Sequence, residues 1–156
     1  MKHLIIAALL TGGVSVFAAD QTTANATTAK TTTTTAAAPK TDDLKLIHVN
    51  DLEQMLKTQK ANTFVFDANT DKTREKDGLI PGATPLKGIG DYDTASVLPK
   101  DKKANVVFYC ANTMCMASHE AAKHARAAGY TNVAVMSDGI EGWKKSGKTT
   151  DKFVKQ

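Results

Sequence analysis

Three short apolar runs constrain this chain more than any other feature of it. Thr63-Phe64-Val65-Phe66-Asp67, Asn105-Val106-Val107-Phe108-Tyr109-Cys110 and Asn132-Val133-Ala134-Val135-Met136 are nearly continuous rather than alternating. A strand with one face in water alternates apolar with polar residues, whereas an unbroken run suits a strand covered on both faces, as in a parallel sheet. Residues 44–49 predict a further strand, and Asn50 or Asp51 then caps a helix whose Leu52, Met55 and Leu56 fall at i, i+3 and i+4. A second helix is expected from about Ser118 to Ala128, closed by Gly129. Strands alternating with helices in this order specify an α/β architecture.

The ends of the chain obey different rules. Lys2 and His3 precede a short apolar run over residues 4–17, broken by Thr11, Gly12 and Gly13 and followed by the small residues Ala18 and Ala19. That run is too short to cross a bilayer comfortably, and residues 1–18 read as a secretory signal peptide cut after Ala18. No cysteine near the cut offers a thiol for lipid attachment, and no later run approaches twenty apolar residues. The expected product is therefore soluble, without stable membrane insertion, and periplasmic, with secretion as the alternative. Residues 19–40 are mostly Thr and Ala and cannot build a packed core, so they are expected to be a flexible spacer, with O-glycosylation or wall association as an alternative. The folded domain is then residues 41–156, near the commonest domain size.

Charge excludes one class of partner. Twenty Lys plus Arg stand against sixteen Asp plus Glu, but only two of the basic residues are arginines, Arg74 and Arg126, far apart in the chain. Nucleic-acid binding is not expected from so dispersed a pattern. The Lys-rich stretches 100–103 and 144–148 read as solvated turns that could at most steer an anion.

Chemistry concentrates at the two cysteines. Cys110 and Cys115 are too few for a disulfide-stapled miniature domain and wrongly spaced for a four-ligand zinc site, which leaves a redox pair, a nucleophile with a neighbour, or bystanders. In an open α/β sheet, sites collect at the carboxyl ends of strands, where loops lead into helix N-termini. Cys110 ends its apolar run, and Ala111, Asn112, Thr113, Met114, Cys115, Met116 and Ala117 carry the chain into the next helix. Backbone amides of that loop and the positive end of the helix could converge on the sulfur and stabilise a thiolate or persulfide. A buried, inert strand-end thiol is the alternative.

Five segments in register resemble the rhodanese-like sulfurtransferase family over most of the chain after Thr41. Phe64-Val65-Phe66-Asp67 resembles the family strand that ends in Asp, and Gly78-Leu79-Ile80-Pro81-Gly82-Ala83 resembles its Gly-His-Ile-Pro-Gly-Ala segment with Leu79 in place of the usual His. Val107-Phe108-Tyr109-Cys110 resembles the strand that leads to the nucleophile. Ala121-Ala122 with Gly129-Tyr130-Thr131-Asn132-Val133 resembles the helix and strand entry beyond it, and Asp138-Gly139-Ile140-Glu141-Gly142-Trp143 resembles the closing Gly-Gly-x-x-x-Trp. The resemblance implies a three-layer α/β fold with a central, mainly parallel five-stranded sheet flanked by helices. It also implies a sulfurtransferase whose Cys110 carries a persulfide from thiosulfate or a persulfide donor to a small thiol acceptor or partner protein. Such chemistry needs no metal or organic cofactor.

The loop departs from the common single-domain pattern Cys-x-x-Gly-x-Arg-Ser: from Cys110 to Ser118 it has two extra residues, no Gly and no Arg. Cys115 stands where the loop Arg would be, so a sulfonate would meet only amides and the helix end, and weak thiosulfate use or another donor is expected. Met116 stands where a Cys-x5-Arg phosphatase needs its arginine, which disfavours phosphatase chemistry. Cys115 could attack a Cys110 persulfide, releasing sulfide and leaving a disulfide, could pair with Cys110 directly, or could pack apart from it.

Two other functions use the same residues. Cys110, Met114, Cys115, Met116 and His119 are soft ligands suited to Cu(I), and a non-catalytic binding module or a thiol-redox protein would also use this loop. His119 and His124 lie about 140° apart on a helix and do not form a metal pair, while His48 lies in the first expected strand. Asp67 either orients the active loop or caps the turn at Asn69-Thr70-Asp71. Trp143 is expected to pack the last helix on the sheet, its indole N–H needing one acceptor.

Overall fold

The computed structural model describes residues 43–155, so the expected signal peptide 1–18 and spacer 19–40 lie outside the described residues. The elements are β1 (Lys45–Ile47), α1 (Val49–Thr58), β2 (Thr63–Asp67), α2 (Asp71–Asp77), β3 (Thr84–Pro85), α3 (Thr94–Val97), β4 (Asn105–Tyr109), α4 (Ala117–Ala127), β5 (Asn132–Met136) and α5 (Gly139–Lys145). The five strands form one sheet in the order β1-β5-β4-β2-β3, and every pairing is parallel. The three apolar runs are its three inner strands. β4 lies at the centre, where Val106, Val107, Phe108 and Tyr109 are fully buried. Removing such side chains from water stabilises the fold by about 1.5–3 kcal/mol each.

Alternation along the strands divides the core between two faces. Phe66, Val106, Phe108, Val133 and Val135 pack with Ala121, Ala122 and Ala125 of α4 and with Tyr92 and Leu98. Val65, Val107, Tyr109, Ala134 and Met136 pack on the other side with Val49 and Leu52 of α1 and Ile140 and Trp143 of α5. The result is the three-layer sandwich expected from continuous apolar strands. Trp143 packs α5 as expected, and its Nε1–H donates to Thr149 O at 2.8 Å.

The first strand is shorter than its apolar pattern, because Val49 already belongs to α1 and His48 is the cap, not Asn50 or Asp51. A distant carboxylate decides the boundary: Asp138 Oδ2 accepts from the Val49 N–H at 2.9 Å, while Asp51 accepts from the His48 N–H at 2.9 Å. Local propensity cannot register a capping group 89 residues away. The lysines at 144–148 are also more engaged than solvated turns would be, since Lys144 pairs with Asp77 and Lys148 with Glu53, each at 2.7 Å.

Candidate active site

Cys110 follows the last residue of the central strand, and its place in the alternation turns it to the α4 face, among Phe66, Val106 and Phe108. It is only 1% exposed. The chain leaves it through a loop that Asn112 organises. Asn112 Oδ1 accepts from the Met114 N–H at 3.1 Å, its carbonyl accepts from the Cys115 N–H at 3.1 Å, and its Nδ2 donates to Glu141 Oε1 at 3.1 Å. These turns curl residues 111–115 back over the strand end and bring Cys115 onto Cys110. The two sulfurs are joined as a disulfide, with the Cα atoms 6.2 Å apart.

Helix α5 fixes the base of the loop. The Ile140 and Glu141 amides at its N-terminus donate to Cys110 O at 2.8 Å and Ala111 O at 3.0 Å. Gly139 permits that approach: its φ is +63°, and a Cβ there would stand 2.5 Å from Ala111 C and 2.6 Å from Asn112 N, both backbone atoms. Only glycine satisfies both conditions at low cost.

Two further groups face the sulfur. Ser118, buried in the first turn of α4, has its Oγ 3.2 Å from Cys110 Sγ, and Cys115 O lies 3.0 Å from the same sulfur. In the reduced protein the Ser118 hydroxyl is placed to donate to a Cys110 thiolate, whereas a neutral thiol would donate to Cys115 O. α4 begins one residue before Ser118, so its positive end lies beside the sulfur.

Of the loop residues expected to offer amides, Met114 and Cys115 direct theirs to Asn112, and Ala117 opens α4. Ala111 is held by α5 through its carbonyl, while Thr113 and Met116 are exposed. Sequence reasoning missed the side-chain roles of Asn112, Gly139 and Glu141. The Asn-x-Met turn and the Gly139 position were the available signals, but neither reveals its partner. The structure does not assemble the soft-ligand cluster. Cys110 and Cys115 bond to each other, and Met114 and Met116 are 87% and 56% exposed. Among the described residues no group of three His, Cys, Asp or Glu side chains is arranged to hold a metal ion.

Asp67 lies beneath the neighbouring strand end. Its Oδ1 accepts from the Asn69 amide at 2.6 Å and from Arg74 Nε at 3.2 Å, and its Oδ2 from Asn69 Nδ2 at 3.2 Å. These contacts hold the turn after β2 and the buried Arg74, and none of them reaches residues 111–117. Tyr109, directly before the nucleophile, accepts from the Ile80 N–H at 3.1 Å. Burial, reinforced by the nearby Asp67 charge, raises its phenol well above the ordinary tyrosine value. Of the other histidines, His48 Nδ1 lies 3.1 Å from Asp138 Oδ1, and His124 Nε2 lies 3.0 Å from Tyr92 O. Beside the site, a groove of about 960 Å³ reaches Ala117 from between Arg74, Leu86 and Phe153, with Lys87, Lys152 and Lys155 at its walls.

A cysteine closing the central strand of a parallel three-layer sheet, under a loop that enters a helix N-terminus, defines a strand-end thiol site of the α/β class. The chain belongs to the rhodanese-like domain family, whose model matches residues 48–146. It is similar in structure to a rhodanese-like domain from Anabaena, at 23% identity and TM-score 0.58 over 71% of this chain and 81% of that one. A possible tyrosine phosphatase from Rhodopseudomonas palustris, at 24% identity and TM-score 0.56, is covered over 85% of its length by 69% of this chain. The human single-domain sulfurtransferase, at 18% identity and TM-score 0.51, is covered over 97% of its length by 66% of this chain. At these identities the likeness establishes the fold. The chain has no match among curated proteins.

Proposed function

We propose that this chain is a sulfurtransferase in which Cys110 carries the transferred sulfur. The observation that carries the reading is the Cys110 environment: a strand-end sulfur beside the N-terminus of α4, with the Ser118 hydroxyl 3.2 Å away. Both features lower the energy of a thiolate relative to a thiol. The reduced Cys110 thiolate attacks the outer sulfur of thiosulfate or of a persulfide donor. A Cys110 Sγ–S bond forms as the donor S–S bond breaks, and sulfite or the donor thiolate leaves with the electron pair. A small thiolate or a thiol on a partner protein then takes the outer sulfur and regenerates Cys110.

Neither arginine lies in the loop to grip a sulfonate: Arg74 is bound to Asp67 and Asp71, and Arg126 is near the end of α4. Persulfide donors are therefore expected to outpace thiosulfate. The lysine-walled groove gives an anionic donor an approach to the Ala117 side of the loop. We place the reaction outside the cytoplasm, periplasmic or secreted, on the leader-like residues 1–18. Intact mass of the reduced Cys115→Ser protein after exposure to each donor tests the reading. A gain of one sulfur, about 32 Da, that disappears when Cys110 is also replaced by Ser is expected. Absence of any adduct in folded, reduced protein overturns it.

A further inference from the structure

We propose that Cys115 resolves the Cys110 persulfide within the same molecule, so that this domain releases the transferred sulfur as hydrosulfide and ends as a Cys110–Cys115 disulfide. The inference rests on the sulfurtransferase reading as far as the loaded Cys110 persulfide, and puts Cys115 in the place of the external thiol acceptor.

The loop is already folded for this step. Asn112 holds the Met114 and Cys115 amides, α5 holds the Cys110 and Ala111 carbonyls, and the two sulfurs are bonded with Cα atoms 6.2 Å apart. That separation lies inside the range an ordinary disulfide spans, so bond formation needs no rearrangement of the backbone seen here. A resolving thiol five residues from the nucleophile also acts at an effective concentration far above that of any free thiol acceptor. With Cys115 Sγ seated on Cys110 Sγ, the inner sulfur of a persulfide is the atom within its reach.

The step balances without an external oxidant. The Cys115 thiolate attacks Cys110 Sγ, the bond from Cys110 Sγ to the outer sulfur breaks, and hydrosulfide leaves with the electron pair. The outer sulfur is reduced to sulfide while the two cysteine sulfurs are oxidised to the disulfide. Resetting the site requires a dithiol reductant. Cys110 is 1% exposed and Cys115 half-buried, so the reductant's thiolate attacks the Cys115 sulfur and frees Cys110 as the leaving thiolate. The reductant's second thiol then displaces Cys115 and leaves the reductant as a disulfide.

A single-turnover experiment decides the matter. Protein reduced and freed of reductant is mixed anaerobically, at low micromolar concentration, with excess thiosulfate or a small-molecule persulfide donor. Free sulfide, free thiols and intact mass are then followed. Wild type is expected to release about one sulfide per chain, lose both thiols and return to its unmodified mass less two hydrogens. Cys115→Ser is expected to hold the persulfide, releasing sulfide at least tenfold more slowly, and Cys110→Ser to do neither. A wild-type persulfide that persists as long as that of Cys115→Ser overturns resolution while leaving the sulfurtransferase reading intact. A disulfide formed without stoichiometric sulfide also overturns it. Failure of Cys115→Ser to take up sulfur from either donor overturns both, provided Trp143 fluorescence shows the variant folded.

Discussion

Gly139 offers the sharpest test of how the loop is held. Replacing it with Ala imposes two separable costs. An L residue at φ +63° costs about 1–2 kcal/mol, because its Cβ crowds the following carbonyl. The new Cβ also stands 2.5 Å from Ala111 C and 2.6 Å from Asn112 N, atoms that cannot swing aside as a flexible side chain would. Neighbouring carbonyls of that backbone accept from Ile140 and Glu141, so relieving the clash strains or breaks those bonds, and overpacking of this kind costs about 1–3 kcal/mol. The sum is about 2–5 kcal/mol. Gly82→Ala is the control, since its φ is +78° but nothing lies within 4 Å of its added Cβ, leaving only the conformational cost. Urea unfolding of both variants in reducing buffer, followed through Trp143 and far-ultraviolet circular dichroism, is expected to show Gly139→Ala less stable by about 1–3 kcal/mol. For a domain of this size that is a melting difference of about 4–12 °C. Equal losses in the two variants would refute the claim that close approach to the loop, rather than φ alone, requires glycine there.

Arg74→Met removes the partner of a fully buried Asp67 and leaves the Asp67 and Leu86 carbonyls without their Arg74 donor, so a loss of about 3–5 kcal/mol is expected; a denaturant midpoint matching wild type would contradict it. Burial raises the phenols of Tyr92 and Tyr109, so above the ordinary tyrosine value near 10 the unfolded chain releases protons that the folded protein keeps. Stability is therefore expected to fall as pH rises past about 10, with a shallower fall in Tyr109→Phe; identical slopes for the two proteins would show that this phenol plays no part. In a Cys115→Ser background, Ser118→Ala removes one hydrogen bond to the thiolate and is expected to move the midpoint of Cys110 labelling to higher pH. The pH profile of thiol labelling reads this directly, and an unmoved midpoint would remove Ser118 from the site.

The layered fold was legible because burial on two faces leaves its mark on composition. Val106 to Tyr109 could not be a half-exposed strand, whereas the face that Cys110 joins is set by how the helices pack on the sheet. The position of Cys110 followed from the same run, since it is the run's last residue. Less was legible wherever a distant residue chose between local options. The start of α1 fell to His48 because Asp138 reaches the Val49 amide, and Asp67 became a turn and ion-pair residue because Arg74 folds under it.

By itself, then, the sequence determined a parallel α/β core and a cysteine at the end of one of its buried strands, since continuous apolar runs and a strand-end thiol are properties of consecutive residues. It left open whether Cys115 meets Cys110. Only the tertiary structure decided that, because the loop's curl depends on the Glu141 contact to Asn112, on the α5 amides that hold Cys110 and Ala111, and on the bare Cα of Gly139. Those groups lie about thirty residues further along the chain, and folding of the sheet is what brings them to the sulfur.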